Sequence, residues 1–321
     1  MKLQSFQVKD REVIERFIDH REKAAKPLRR LTLSWSNWGF GTEPLQRSAA
    51  RLEANKIRAI ELHGNRYGPD LGYKTAETKR ILADHGLSVS GVCGMVSPEC
   101  ELSSNRPHVT QRSIDYFRRN IDLCAELGGV YLLFAPGAVG RPTPYDENEH
   151  HRAADAIRIL ADHFQSRGVR GAIEPVRAAE VSFCHTFAEA KKLIDEVNHP
   201  GVRHIAGDVY HMYVEEQHVS GTILEYGQMM TNLHMADSNR KALGLGSMDL
   251  DLILMALHAT GYANERCFCS AEPLGPGGDP YPQMYGSPDA EVLDELVRQT
   301  AYCFFEREEQ ILGAPVSELR R

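Results

Sequence analysis

The stretch "VYLLFAPGAVGRPTPYDENEHHRAADAIRILADHFQSRGVRGAIEP", residues 130–175, holds two short apolar runs separated by a helical pattern. The runs are VYLLFA at 130–135 and RGAIEP at 170–175. Between them, residues 149–168 follow a helical period that ends in a glycine, as helices often do. This order of strand, helix and strand predicts two parallel strands joined by a crossover helix.

The same alternation continues along the whole chain. Eight such units predict an α/β fold, a closed (β/α)8 barrel. An open doubly wound sheet is the alternative, but it would place a dinucleotide-binding glycine fingerprint after its first strand. The glycines of SNWGFGTEP, residues 36–44, do not have that spacing. The eight predicted strands lie at residues 31–36, 57–63, 87–93, 130–135, 170–175, 202–208, 232–237 and 267–272.

The start of the chain differs from these units. It is a charged helical pattern with one narrow apolar stripe that includes Phe17, and Pro27 ends it. We therefore predict an N-terminal helical extension at residues 1–30, a barrel catalytic domain at residues 31–312 and a C-terminal tail at residues 313–321.

The composition argues against several classes of function. The 321 residues carry a net charge of −7, which argues against a nucleic-acid partner because phosphate binding favours a basic face. Seven cysteines with no CxxC pair indicate reduced thiols rather than a disulfide framework. The sequence has neither a signal-peptide pattern nor an apolar run of membrane-spanning length. We expect a cytoplasmic protein without a membrane partner.

Candidate metal ligands stand at the ends of four consecutive predicted strands. The active site of such a barrel lies at the carboxyl ends of its strands, and neighbouring strands are about 4.8 Å apart. Side chains that point inward at one level can therefore converge, and three facing carboxylates would be costly without a cation. Three carboxylates and one imidazole suit a divalent ion with open positions, Mn²⁺ first, with Mg²⁺ or Co²⁺ as alternatives. The four residues are Glu174, Asp208, His234 and Glu272.

Further polar and aromatic residues are candidates for contacting a substrate. Glu61, His63 and Asn65 follow one another at the end of the second strand, although a single residue of this kind is as easily a solvated rim charge. Several aromatic residues could stack on an apolar ring face, with core packing as the alternative. They are Trp35, Trp38, Phe40, Tyr281 and Tyr285.

Four motifs in the second half of the chain resemble one family. IEPVRAAE at 173–180, GDVYHM at 207–212, HMADSNR at 234–240 and SAEPLG at 270–275 are similar to motifs of the xylose isomerase-like barrels, and among these to the ketose 3-epimerases. In IEPVRAAE two alanines follow the arginine, which departs from the usual epimerase pattern.

This resemblance implies roles for individual residues. It implies that Glu174, Asp208, His234 and Glu272 hold one divalent metal ion, and that the two glutamates are the acid and base. It also implies substrate contacts by Glu180, His211 and Arg240. The alternatives are an ion pair of Arg240 with Asp237 and a histidine at a helix start for His211.

Two loops resemble a second group of proteins. ELHGNRYGPDLGY at 61–73 and EPLGPGGDPYPQMYG at 272–286 are similar to loops in the α-subunits of C-glycoside deglycosidases. Those lyases eliminate the aglycone from 3-oxo-C-glycosides and work with a smaller β-subunit.

The expected function is a metal-dependent isomerase or epimerase acting on a keto-sugar. It would abstract a proton next to a carbonyl and pass through a metal-stabilised enediolate. The deglycosidase alternative shares that first step and then expels a leaving group. A DNA-repair endonuclease and a non-catalytic sugar-binding protein are the rivals from other classes. We expect a small-molecule sugar substrate and a homo-oligomer, or a hetero-oligomer if a small second subunit is needed.

Overall fold

The eight predicted strands form one closed parallel barrel. The structure is a computed structural model that describes residues 5–64, 72–94, 96–274, 286 and 289–320. Each strand pairs with the next in chain order, and β1 closes the barrel against β8. The predicted (β/α)8 barrel is confirmed and the open sheet is wrong. The strands are β1 Leu33–Ser36, β2 Ala59–His63, β3 Ser88–Gly94, β4 Tyr131–Phe134, β5 Arg170–Ile173, β6 Val202–Asp208, β7 Met230–Met235 and β8 Phe268–Ala271.

Helices surround the barrel, and a 3₁₀ turn at Asn37–Phe40 follows the first strand. Two short helices, α7 and α8, fill the connection between β6 and β7. In the described part of the chain the helices are α1 Ser5–Lys23, α2 Leu45–Ala54, α3 Thr75–Asp84, α4 Pro107–Glu126, α5 Glu149–Arg167, α6 Phe187–Val197, α7 Val209–Glu215, α8 Val219–Tyr226, α9 Leu250–Ala259, α10 Ala290–Gly313 and α11 Val316–Leu319.

Strand alternation separates two apolar layers. Side chains that face outward join the large core between strands and helices, as Cys269 does. Side chains that face inward form a small separate cluster, as Phe268 does. Side-chain alternation along β8 thus places Phe268 inside the barrel and Cys269 outside it. The inner cluster consists of Ala59, Cys93, Tyr131, Leu133, Ala172, Ala206 and Phe268.

Gly91 makes room for Tyr131 inside the barrel. A Cβ atom at Gly91 would lie 2.5 Å from the tyrosine ring, a distance that real contacts do not show. The missing side chain lets Tyr131 cross the barrel interior, where it donates a hydrogen bond of 2.7 Å to Glu61.

The N-terminal helix α1 covers α8 and α9 and meets the end of the chain. Its predicted apolar stripe is buried, with Phe17 fully so. Arg21 donates to the carbonyl of Ala314 at 2.8 Å, and Arg320 forms an ion pair of 2.8 Å with Glu15. The predicted N-terminal helix is confirmed, whereas the division of the chain at residues 30 and 312 stays a prediction. Within the described residues, no helix is both long and apolar enough to span a membrane.

Candidate metal and substrate site

The four predicted ligands lie at one level of the barrel. Asp208 is the last residue of β6, and the register pairs it with His234 of β7. Glu174 and Glu272 each follow their strand by one residue. Both still take part in the hydrogen bonding between strands. The backbone N–H of Glu174 donates to the carbonyl of Phe134 at 2.9 Å, and that of Glu272 donates to the carbonyl of Met235 at 2.8 Å.

Their side chains converge around His234. Its Nδ1 atom lies 3.4 Å from Oε1 of Glu174 and 3.3 Å from Oε1 of Glu272. Glu174, Asp208 and His234 each offer one potential ligand atom, and these three atoms lie within 4.8 Å of one another. All four residues are at most 9% exposed. The structure therefore brings the four sequence-predicted ligands together in one buried cluster.

Asp208 presents one unsatisfied oxygen to this cluster. It is the N-cap of α7, and its Oδ1 atom accepts the N–H of Tyr210 at 2.8 Å. Its buried Oδ2 atom has no hydrogen bond among the described residues, although Nε2 of His211 lies 3.3 Å away. A buried oxygen without a donor is costly and is satisfied well by a cation.

The cluster carries an excess of negative charge. Burial, reinforced by the carboxylates of Asp208 and Glu174, raises the pKa of Glu272 to about 7 against the opposing charges of His234 and Arg240. Burial alone would lower the pKa of His234, but the charges of Glu272 and Glu61 outweigh it and raise that pKa well above its usual value. Both shifts reflect carboxylates that are buried close together.

Arg240 lies at the rim of the cluster. Its Nη2 atom is 3.5 Å from Oε2 of Glu272, and its guanidinium stacks 4.5 Å from the ring centre of Tyr210. Its backbone adopts a φ of 60°, which places the side chain over the site. Asp237 instead accepts backbone N–H groups of its own loop, including Gly244 at 2.8 Å. Arg240 therefore faces the predicted site rather than Asp237.

Glu180 is linked to the same rim by Arg177. Arg177 donates to Glu180 at 2.5 Å and to the Tyr210 hydroxyl at 2.7 Å. Tyr210 is thus held between two arginines. His211 is buried beside Asp208, and its Nδ1 atom has no hydrogen bond among the described residues.

Glu61 and His63 lie in β2, below the level of the rim. Glu61 is fully buried, and its Oε1 atom lies 2.8 Å from Nε2 of His234. His63 is also buried, and its backbone N–H donates to Asn37 at 2.8 Å. Asn65 lies outside the described residues.

The structure adds contacts that the sequence did not reveal. The indole N–H of Trp38 donates to Oε1 of Glu272 in a short hydrogen bond. The rings of Trp35 and Phe40 stack on each other in the core, with their centres 5.6 Å apart. For these two residues this is the core-packing alternative. Cys93 has its sulfur within 4.8 Å of donor atoms of His234, Glu272 and Glu61.

Tyr281, Tyr285 and most of the two loops similar to those of deglycosidases lie outside the described residues. The aromatic run after β1 was the only sequence signal for the Trp38 contact.

A family model described as the xylose isomerase-like TIM barrel matches residues 49–289, more than half of the chain. The chain belongs to the xylose isomerase-like TIM barrel family. The predicted resemblance is thereby confirmed at the level of the family.

Relatives within this family have names that refer to sugar epimerases. A ketose 3-epimerase of Arthrobacter globiformis is 30% identical over 57% of this chain and 64% of its own length. A D-psicose 3-epimerase of Agrobacterium fabrum is 25% identical over 81% of this chain and 91% of its own length. The aligned part thus spans somewhat less than two thirds of the Arthrobacter protein.

The solved structures agree on the fold. A D-allulose 3-epimerase from Methylomonas sp., solved in complex with D-allulose, superposes with a TM-score of 0.73 at 22% identity. The superposition covers 87% of this chain and 98% of that chain. The similarity of fold therefore extends over nearly all of the Methylomonas enzyme.

Proposed function

We propose that this protein is a divalent-metal-dependent epimerase or isomerase of a keto-sugar, which abstracts a proton next to the substrate carbonyl. One observation carries the proposal. Three carboxylates and one histidine from consecutive strands converge at the mouth of the barrel, with two glutamates beside the same imidazole nitrogen. The names of the family relatives, which are ketose, L-ribulose and D-psicose 3-epimerases, support the substrate class.

The donor set fits a divalent ion. It offers carboxylate oxygens and one imidazole nitrogen, which hard or borderline ions such as Mn²⁺, Mg²⁺ or Co²⁺ accept. The Oδ2 atom of Asp208, which accepts no hydrogen bond among the described residues, and the surplus of buried carboxylates both favour a cation at this position. Glu174, Asp208, His234 and Glu272 would hold it. An ion held there would supply Lewis-acid stabilisation of the negative charge that develops on the substrate oxygen during proton abstraction.

The side chains of the chain itself supply the proton transfer. We assign Glu174 and Glu272 as the acid and base pair, so that one carboxylate removes the proton and the other returns it from the other side. Trp38 and Arg240 contact Glu272 and hold its carboxylate in place. His211 and the rim formed by Arg240 and Glu180 are positioned to donate to or accept from substrate oxygens.

A proton-exchange assay tests the proposal. Purified protein is stripped of metal with a chelator and reloaded with Mn²⁺, and it is then incubated in D₂O with free ketoses, inosose-type cyclitols and 3-oxo-glycosides. We expect solvent deuterium at the carbon beside the carbonyl of a ketose, together with the epimeric product, only after reloading. Absence of exchange with every substrate, with and without Mn²⁺, would overturn the proposal.

The same assay separates epimerisation from elimination. A lyase would release an aglycone from a 3-oxo-C-glycoside after the shared proton abstraction. The relatives described above are epimerases, which favours return of the proton over loss of a leaving group. We therefore expect an epimer and no released aglycone.

A further inference from the structure

Glu61 is a carboxylate in direct contact with the predicted ligand His234. It lies on β2, across the barrel from β7, and is completely buried. Among the described residues, no arginine or lysine forms an ion pair with it. Its charge is instead stabilised by hydrogen bonds, which is what a buried carboxylate requires.

Three donors surround the Glu61 carboxylate. Oε2 accepts from the Tyr131 hydroxyl at 2.7 Å and from the side-chain amide of Asn232 at 3.2 Å. Oε1 faces Nε2 of His234 at 2.8 Å. Ser270 in turn binds both Asn232, at 2.7 Å, and the Tyr131 hydroxyl, at 3.2 Å. Neither oxygen of Glu61 is free to move without breaking this network.

These contacts give the Nε2 atom of His234 a proton. An ionised carboxylate only accepts hydrogen bonds, so the nitrogen beside Glu61 must be the donor. Nε2 therefore holds a proton, and Nδ1, which faces Glu174 and Glu272, is the nitrogen left to bind an ion once its own proton is displaced. A histidine that binds a metal commonly donates its other ring N–H to a carboxylate, which fixes both its tautomer and its orientation.

We propose that Glu61 is a positioning residue that fixes the Nε2–H tautomer and the ring orientation of His234, so that Nδ1 presents its lone pair to a divalent ion. This inference rests on the proposed function, because it takes His234 as a ligand. It assigns Glu61 a place behind the imidazole rather than a contact with the substrate. Glu61 as a direct ligand is the competing role, and the experiment below decides between the two.

Two substitutions of Glu61 and a matched pair elsewhere form the experiment. Glu61→Leu removes the acceptor, and Glu61→Gln keeps an oxygen but sets an amide NH₂ group against either Tyr131 or Asn232. The controls are Glu308→Leu and Glu308→Gln. Glu308 is a buried carboxylate that accepts from Nε2 of His258 at 3.1 Å and from the N–H of Leu31 at 2.7 Å, far from the site.

Mn²⁺ affinity of the stripped proteins is measured by titration calorimetry. The ring of His234 is observed by ¹⁵N NMR of histidine-labelled protein loaded with diamagnetic Mg²⁺, with its signals assigned from a His234→Gln sample. We expect Glu61→Leu to bind Mn²⁺ about 10- to 100-fold more weakly and to lose the protected Nε2 proton. Glu61→Gln should fall between Glu61→Leu and the wild type, and the Glu308 variants should match the wild type in both readouts.

The outcomes separate this inference from the proposed function. A wild-type protein that binds no divalent ion contradicts the proposed function, whatever the variants do. Wild-type affinity and an unchanged Nε2 proton in Glu61→Leu would overturn the role of Glu61 alone. Weaker binding with the Nε2 proton retained would make Glu61 a direct ligand and would also overturn it. Should Glu61→Leu fail to fold, as judged by circular dichroism, the same comparisons with Glu61→Gln decide.

Discussion

Three neighbours fix the carboxylate of Glu272. Trp38 donates to Oε1, His234 lies 3.3 Å from the same oxygen, and Arg240 lies 3.5 Å from Oε2. A carboxylate fixed in this way has its orientation set before a substrate binds, which removes part of the entropic cost of reaction. Among the described residues, the side chain of Glu174 has one such contact, with His234 at 3.4 Å, so the two glutamates of the pair are held unequally.

Replacement of either glutamate by glutamine tests the proton transfer at the scale of one residue. Glu174→Gln and Glu272→Gln keep the size of the side chain but remove its basicity. We expect kcat to fall by about 10²- to 10⁴-fold, measured as deuterium exchange at saturating Mn²⁺. Glu147→Gln, at an exposed position outside the site, is the control. Either site variant retaining the turnover of the control would contradict the assigned pair.

At the residue level, the sequence predicted that four side chains meet where strands of the barrel end, and their role as metal ligands stays a prediction. Their convergence could be predicted because all four lie at the carboxyl ends of strands: Asp208 ends β6, His234 is the last residue but one of β7, and Glu174 and Glu272 directly follow β5 and β8. The pairing of Glu61 with His234 could not, because β2 and β7 face each other across the barrel. Their separation depends on barrel radius and strand tilt, which local patterns do not contain.

The elements themselves were predictable to within about two residues. Every predicted run contains a strand, since β-branched and apolar residues bounded by turns leave few other choices. Five of the eight observed strands are two residues shorter than predicted, and the other three have the predicted length. Glu272, for example, was placed inside the last predicted strand and lies just after β8.

His204 on β6 predicts a pH dependence at the scale of one element. It lies toward the amino end of that strand, away from the site. Burial, together with the charge of Arg170, lowers the pKa of His204 to about 4 from its usual 6.5. Because the folded pKa is depressed, the unfolded chain binds the proton first. The stabilising contribution of the neutral ring is complete above pH 6.5 and is lost as the pH falls toward 4.

The measurement is the free energy of unfolding in urea at several pH values. Between pH 7 and pH 4, the free energy of unfolding of the wild type should fall by on the order of 1 kcal/mol more than that of His204→Gln. His108→Gln, at an exposed position, should follow the wild type over the same range. Parallel curves for wild type and His204→Gln would refute the argument.

Helix α1 contributes to the stability of the whole molecule. Its residue Phe17 is fully buried against the helices that follow β6 and β7, whereas Phe6 on the same helix is half exposed. Truncation of a buried phenylalanine removes apolar contact and leaves a cavity. The N-terminal helix is therefore part of the cooperative fold, although it adds no strand to the barrel.

Substitution of these two phenylalanines tests that contribution. Phe17→Ala should lower the free energy of unfolding by about 3–5 kcal/mol, and Phe6→Ala by less than about 0.5 kcal/mol. Both are measured by urea denaturation. Mn²⁺ affinity at 25 °C should be the same in both, because α1 does not touch the four proposed ligands. Equal losses from the two substitutions would show that α1 is only loosely attached.

The closure of the barrel gives the chain a cyclic order. β1 pairs with β8, and the ion pair of Arg320 with Glu15 brings the last helix of the described chain against the first. No strand pairing would be lost if the two ends were joined by a short linker and the chain were opened at an exposed turn such as that of Glu265. The molecule is in this sense a ring of eight units, and the linear order of its sequence is one of several permutations compatible with the same barrel.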